Sequence, residues 1–393
     1  MHLPLGFSAA GVACGIKSDP TKLDLSLFVS DRPAAAAGVF TQNQVVGAPV
    51  KVSRSRVPSA TVRGVVLNSG CSNACTGQRG IDDAEWMTAA VAEQIGCRAE
   101  DVLVCSTGII GHYLPRQKLA DGIPVVAKKV AANETGFLDA ARGMMTTDTV
   151  PKQAVRTLEL GGKTVTIAGA CKGAAMIAPN MATMLAVVMT DVRLVPEAAQ
   201  SFLSKAVATS FNCISVDQHT STSDTVLLLA NGATGISIGA EQLGPFQQAL
   251  EEVCQELSQK IIRDAEGASH FVTVDVVGCR NGDEAYRMAK AVCDSPLVKT
   301  AVAGNDPNWG RIVSAAGYSG VKFQEEECSL TINGIEVYHA GAPTEFDADR
   351  VSAAMKTGEV HFVLTFTHGE AKSRCWTCDL TAEYVRLNAD YST

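Results

Sequence analysis

Short apolar runs separated by turn formers open the chain. Residues 25–29 and 37–40 read as two strands joined at Asp31-Arg32-Pro33, because apolar runs bounded by turn residues mark strands. Val65-Val66-Leu67 is a buried strand that gives way to Asn68-Ser69-Gly70, and a helix is predicted over 84–94. A strand over 101–105 runs into Ser106-Thr107-Gly108, and residues 116–143 read as helical. Strands over 155–160 and 163–167 meet at Gly161-Gly162 as a hairpin. A buried strand over 184–189 then precedes a helix opening at Pro196, where proline suits the first turn. Leu243, Phe246, Leu250, Val253, Leu257 and Ile261 recur at helical spacing, so 242–262 should be a helix with one buried face. A strand over 271–277 and a helix over 283–292 follow, then a turn-rich segment at 304–312 with a packing tryptophan. Strands over 328–332, 335–338 and 360–366 around a short helix at 347–355 suggest a smaller α/β lobe. On pattern alone, 384–393 is a fraying tail.

Composition narrows the class. The chain has 393 residues, 46% of them hydrophobic, which is ample for a sizeable core and two or three domains. A net charge of -8 without a Lys/Arg run argues against nucleic-acid binding and toward small-molecule partners. The first residues lack the pattern of a secretory signal and no apolar run is long enough to span a membrane, so the protein reads as soluble and cytoplasmic. Thirteen cysteines without regular spacing suit reduced thiols. Cys375 and Cys378 form a lone C-x-x-C with no second half to complete a zinc site, so neither metal nor cofactor is expected.

The stretch with chemistry in it runs over 169–188. Small residues and Lys172 lead through Pro179-Asn180 to Ala182, Thr183 and the apolar run that follows. A threonine heading a core strand is, on spacing alone, most often a packing residue. It becomes a nucleophile when a base takes its proton, and at a chain's N-terminus its own α-amine can do so. With an unperturbed pKa of roughly 7.7 to 8.0, part of that amine is neutral near pH 7. For Thr183 this requires backbone cleavage between Ala182 and Thr183. Elsewhere, Thr107-Gly108 after a strand offers a hydroxyl and an unobstructed backbone N–H, the donors an oxyanion hole needs. Cys75 at a turn and the loop residue His219 are weaker candidates, for a thiol nucleophile and a base.

Lys172-Gly173, Met176-Ile177 and Pro179-Asn180-Met181-Ala182-Thr183-Met184-Leu185 resemble the self-cleavage segment of the ornithine acetyltransferase family, the glutamate N-acetyltransferases of the cyclic arginine pathway. The resemblance extends through Asn73-Ala74-Cys75-Thr76-Gly77, Thr107-Gly108, Thr146-Thr147-Asp148-Thr149, Thr220 to Gly232, Asp264-Ala265-Glu266-Gly267 and Gly304 to Ile312, in family order from Gly6 to Thr393. It implies an α/β (α+β) fold, a layered αββα sandwich of the ornithine acetyltransferase and DmpA-like type with a smaller C-terminal lobe. By that analogy 1–192 form the catalytic sandwich, 193–278 complete its core and 279–393 are the smaller lobe. Cleavage would yield chains 1–182 and 183–393, associating as α2β2. The implied reaction moves an acetyl group from N2-acetylornithine to glutamate through an acetyl-Thr183 ester, with acetyl-CoA left open as a second donor. Thr183 is then the nucleophile, Thr107 and Gly108 the oxyanion hole, and Thr146, Lys172, Thr183, Glu266, Asn388 and Thr393 the substrate contacts. Lys172 would pair with the substrate carboxylate and Glu266 with the distal ammonium of ornithine. Ala174-Ala175, Ala178, Gln218-His219 and His270 depart from the family pattern near this site. Two rival classes stand beside this one: an N-terminal-nucleophile amidase or aminopeptidase acting on small acyl-amino acids, and a non-catalytic binding protein.

Overall fold

Leu25–Phe40 is one sixteen-residue strand, where the pattern predicts two. Its first half lies between Phe7–Val12 and Ser59–Cys71, and its second half takes Thr225–Ala230 on the side that Phe7–Val12 leaves. The register against Ser59–Cys71 shifts between Val29 and Ala34 and again between Ala34 and Ala36. Asp31, Arg32 and Pro33 fall in that interval and are exposed. Pro33 has no N–H to give a ladder, so the irregular register accommodates it without ending the strand.

This strand belongs to a fold whose described residues are 1–177 and 184–390 of a computed structural model. Among them the chain is mixed α/β, with two sheets and eleven helices, as the pattern and the resemblance imply. Two units are distinguishable: Met1–Asn212 with Thr220–Ile261, and Cys213–His219 with the chain from Ile262 onward.

The first unit holds an eight-stranded sheet. Its order is Val102–Ile109, Ser59–Cys71, Leu25–Phe40, Thr225–Ala230, Leu185–Thr190, Lys163–Lys172 and Lys152–Leu160, with Phe7–Val12 beside Leu25–Phe40. Continuous apolar runs such as Leu185–Thr190 and Thr225–Ala230 are buried along their whole length, the signature of strands covered on both faces. One face packs Phe28, Leu67, Leu103 and Val187 against Phe137, Ala141 and Met144 of helix Glu134–Met144. The other packs Leu27, Val66 and Val104 against Met87 and Val91 of Gly77–Ile95 and Leu119 and Ile123 of Arg116–Lys129.

Residues 116–143 are two helices rather than one continuous segment. Between them Ala131 exchanges both backbone hydrogen bonds with Ala9 of the sheet (3.1 and 3.0 Å), and the Asn133 side chain then accepts from Gly136 N–H (2.8 Å) to start the second helix. Helix Leu243–Arg263 buries Phe246, Leu250, Val253, Leu257 and Ile261 as their spacing predicts, whereas Leu243, at its first position, is exposed. It approaches strand Lys163–Lys172 so closely that a Cβ on Gly169 would lie 2.9 Å from Leu257.

The second unit is built on a seven-stranded sheet, in the order Ala342–Pro343, Ile335–His339, Cys328–Ile332, Glu359–Phe366, Phe271–Cys279, Ala371–Cys378 and Ile214–Ser215. The Trp309 segment begins a helix, Trp309–Gly317, because the Asn308 side chain accepts from Arg311 N–H (3.3 Å). Trp309 itself stacks on Tyr338 (5.2 Å between centroids). The last turns are also ordered, as helix Ala382–Asp390. Among the described residues no helix is long and apolar enough to cross a membrane.

Candidate active site

Thr107 and Gly108 close the strand Val102–Ile109, whose apolar residues Val102 to Cys105 are buried in the sheet. The strand runs parallel to Ser59–Cys71 with Gly108 opposite Gly70. The two backbones nearly touch there: a Cβ on Gly108 would sit 2.3 Å from the Gly70 carbonyl carbon, and Gly108 has φ +129°. Only glycine fits both constraints. Thr107 is 2% exposed, and the equally buried Lys172 donates from Nζ to Thr107 Oγ1 (3.4 Å). An ammonium has no acceptor, so Thr107 Oγ1 must accept here and its own proton is directed to another partner.

Lys172 ends the strand Lys163–Lys172, whose hairpin register pairs Cys171 with Lys152. That register brings a second buried cation alongside. Asp148 lies between these elements. Its Oδ1 accepts from Lys152 Nζ (2.6 Å) and from Gly173 N–H (2.7 Å), and its Oδ2 from Thr146 N–H (3.0 Å). Burial would raise the Asp148 carboxyl, but the charges of Lys152 and Lys172, with the bonds from the Gly173 amide and Lys152, outweigh it and hold the group at about 2. One carboxylate therefore fixes both the loop that carries Thr146 and the backbone just after Lys172. Thr107, Gly108, Thr146 and Lys172 are assembled in the first unit through this network.

Ala178, Ala182, Thr183 and Thr393 lie outside the described residues. The residue after Thr183 is held at both backbone groups. Met184 N–H donates to Asp224 Oδ1 (3.0 Å), and Met184 O accepts from Thr225 N–H (3.1 Å). Asp224 is fully buried, and burial pushes its carboxyl well above the usual carboxylate range. Neither Asp148 nor Asp224 is singled out by sequence reasoning. Their only signal is an acid embedded in a run of hydroxyl residues, Thr146 to Thr149 and Thr220 to Thr225.

In the second unit Asn388 Nδ2 donates to Glu266 Oε2 (2.9 Å), so these two predicted contacts are neighbours. The turn after Glu266 seats the terminal helix. A Cβ on Gly267 (φ +67°) would meet Tyr384 N at 2.5 Å, Thr381 Oγ1 donates to Gly267 O (2.6 Å), and Tyr384 O–H donates to Asp217 Oδ2 (3.1 Å). His270 is buried, with Nδ1 2.8 Å from Asp379 Oδ2 and Nε2 3.1 Å from Asn305 Oδ1. Burial raises the Asp379 carboxyl, and hydrogen bonds from Ser269 and His270 more than reverse this. The His270 imidazole ties two segments of the unit together. His219 is an exposed loop residue whose backbone N–H donates to Asp217 (3.1 Å). Cys75 is exposed at φ +59°, while Cys375 and Cys378 are buried in a sheet strand, Cys378 beside the Lys299 ammonium.

The ArgJ family profile matches residues 8–393. The chain is 45% identical to the arginine biosynthesis bifunctional protein ArgJ of Rhodopirellula baltica, over 100% of this chain and 96% of that one. It is 44% identical to the protein of the same name from Geobacter sulfurreducens, over 99% of each. Among solved structures, the arginine biosynthesis bifunctional protein argJ of Bacillus halodurans aligns at 37% identity and a TM-score of 0.51, covering 52% of this chain and 98% of that one.

Proposed function

The chain belongs to the ArgJ family, and from that premise we propose that it is a self-cleaving acetyltransferase that moves the acetyl group of N2-acetylornithine to glutamate through an ester on Thr183. Cleavage between Ala182 and Thr183 gives chains 1–182 and 183–393 and frees the Thr183 amine. As Thr183 Oγ attacks the acetyl carbonyl, that amine takes the hydroxyl proton. The C–N bond to ornithine then breaks, the proton passes to the departing amine, and the acetyl ester remains. Glutamate's amine attacks the ester, its proton returns through the Thr183 amine to Oγ, and N-acetylglutamate leaves.

The observation that carries this reading is the pair Thr107 and Gly108 beside Lys172. Each tetrahedral intermediate bears an oxyanion, and a hydroxyl and a backbone N–H held at a strand end would stabilise it without reorganisation. The bond from Lys172 to Thr107 Oγ1 supports this role, because it turns the hydroxyl proton away from the ammonium. The same buried cation suits a substrate carboxylate. Asn388 against Glu266 supports a second polar pocket, for the distal ammonium of ornithine. The B. halodurans chain, aligned over nearly all of its length, spans only about half of this one, whereas the curated relatives span all of it. A half-length solved chain is what a cut near the middle leaves. We take the assembly to be α2β2, and Thr393 and Thr146 to complete the substrate contacts.

Intact-mass analysis of the purified protein beside Thr183→Ala tests the proposal. The expected result is two fragments in the wild type, an uncut chain in the variant, and a mass increase of one acetyl group on the 183–393 fragment after incubation with N2-acetylornithine alone. An uncut wild type, or ornithine release that continues beyond one equivalent per enzyme in the absence of glutamate, refutes acetyl transfer by this route. Supplying acetyl-CoA and glutamate without acetylornithine reads the second donor directly.

A further inference from the structure

Asp224 is a buried acid for which the reaction above has no use. It precedes the strand Thr225–Ala230, and its own carbonyl is occupied, accepting from Thr41 N–H (3.0 Å). Its side chain is 0% exposed and spends one oxygen on the Met184 amide, while Oδ2 has no hydrogen-bond partner among the described residues. Burial outweighs the Met184 bond together with the charge of Lys172, the Ser221 amide and the Thr41 hydroxyl, all of which favour the carboxylate, so placing a carboxyl here is costly. A buried polar group with an unsatisfied oxygen calls for an explanation.

The bond falls at an informative place. Met184 is one peptide from Thr183 and is itself buried, at 1% exposure. Asp224 takes its N–H and the neighbouring Thr225 takes its C=O, so two consecutive residues at the start of one strand, the first just outside it, grip both backbone groups of Met184. From Leu185 onward the two strands run in parallel register, Leu185 against Thr225. Met184 is thus the point at which the ladder's hold on the chain is supplemented by a side chain.

We propose that Asp224 is a positioning residue for the nucleophile: its carboxyl clamps the amide of Met184 and thereby fixes the chain one peptide bond from Thr183, before and after cleavage. This rests on the reading of Thr183 as nucleophile. An anchor of this kind matters most once the Ala182–Thr183 bond is broken, when Thr183 becomes a chain end tethered on one side only. Burial pushes the carboxyl above the usual range, but what the clamp uses is the acceptor oxygen Oδ1 facing the Met184 amide. An asparagine should therefore serve in its place.

The test compares Asp224→Asn and Asp224→Leu with wild type, for extent of self-cleavage and for steady-state kinetics. Asp224→Asn keeps the acceptor, and wild-type cleavage, kcat and pH profile are expected. Asp224→Leu keeps the branching at Cγ, is bulkier, and loses the acceptor. Slowed cleavage and a kcat lowered by about 10²-fold are expected, the scale of a small misplacement of a reacting group, with a much smaller change in KM because Lys172 and Glu266, which hold the charged ends of the substrate, are not altered. If Asp224→Leu fails to fold, replacing Met184 by its α-hydroxy analogue removes the same N–H with Asp224 intact and should give the same kcat loss. Wild-type turnover without the bond overturns the proposal, as does an Asp224→Asn variant that fails as badly as Asp224→Leu. Failure of the underlying reading is distinguishable: Thr183→Ala would then be cut like wild type, whatever Asp224 does.

Discussion

Replacing Asp148 by asparagine should be among the most damaging single changes in the first unit that leave side-chain volume intact. The pair it forms with Lys152 has no solvent exposure on either side chain. Asp148→Asn removes the charge and leaves the Lys152 ammonium facing an amide in a dry site. Breaking a buried pair from one side costs about 3–5 kcal/mol, which for a unit of this size lowers the thermal midpoint by on the order of 10 °C. The pH dependence gives a second readout. The carboxyl is held at about 2 against an ordinary 3.8, a difference worth roughly 2 kcal/mol at 1.36 kcal/mol per unit. Because the folded-state value is depressed, that stability is fully present above pH ~4 and is lost as pH falls through about 2. Wild type should therefore lose thermal stability on acidification more steeply than the variant does. The mutational figure exceeds the titration figure because it includes Lys152 left uncompensated. Scanning calorimetry at one scan rate from pH 2 to 7 measures both. Lys152→Met added to Asp148→Asn should recover part of the loss, since the stranded cation goes too. The substrate side should also respond, with KM for acetylornithine raised, since a carboxamide has one acceptor oxygen where the carboxylate has two, and either Thr146 N–H or Gly173 N–H loses its partner. A midpoint within about 2 °C of wild type, with an identical acid limb, would refute this account of the network.

Thr107→Ala removes one oxyanion donor, a loss of about 2.7–4 kcal/mol in the transition state, so kcat should fall by roughly two to three orders of magnitude; near-normal turnover in a steady-state assay excludes Thr107 from the mechanism. Glu266→Lys places an ammonium beside Asn388 Nδ2 and should raise KM for acetylornithine far more than it affects attack by glutamate on the acetylated enzyme. Pre-loading the enzyme and following each half-reaction separates the two, and an unaltered ornithine half-reaction removes Glu266 from the substrate contacts.

Periodicity was informative where one element obeys one rule. Helix Leu243–Arg263 and the hairpin at Gly161-Gly162 have one repeat and one turn signal each, and both form. It misled where a tertiary contact decides. Pro33 looks like a strand end until the register shift against Ser59–Cys71 is known. The apolar spacing over 116–143 continues through a break that exists because Ala131 pairs with Ala9, 122 positions earlier. The proposed site residues came from motif resemblance, since a Thr-Gly after a strand is common on local pattern. Asp148 and Asp224 were illegible for a related reason. Each acts on a backbone amide 25 or 40 positions away, Gly173 and Met184, and no local spacing encodes that.

The strand order sets how the products of the proposed Ala182–Thr183 cleavage would behave. Thr225–Ala230 and Leu185–Thr190 come from the chain after Thr183, yet they occupy the middle of the sheet, with Leu25–Phe40 on one side and Lys163–Lys172 on the other, both from before Ala182. Six residue pairs join them to the former and six to the latter. The two products of the proposed cleavage would be interleaved rather than adjacent. Severing the backbone therefore creates a new chain end without creating a separable subunit: gel filtration would see one particle before and after, and only denaturation would reveal two polypeptides. A protein so laid out can spend its own peptide bond to make a nucleophile and keep the sheet that holds it.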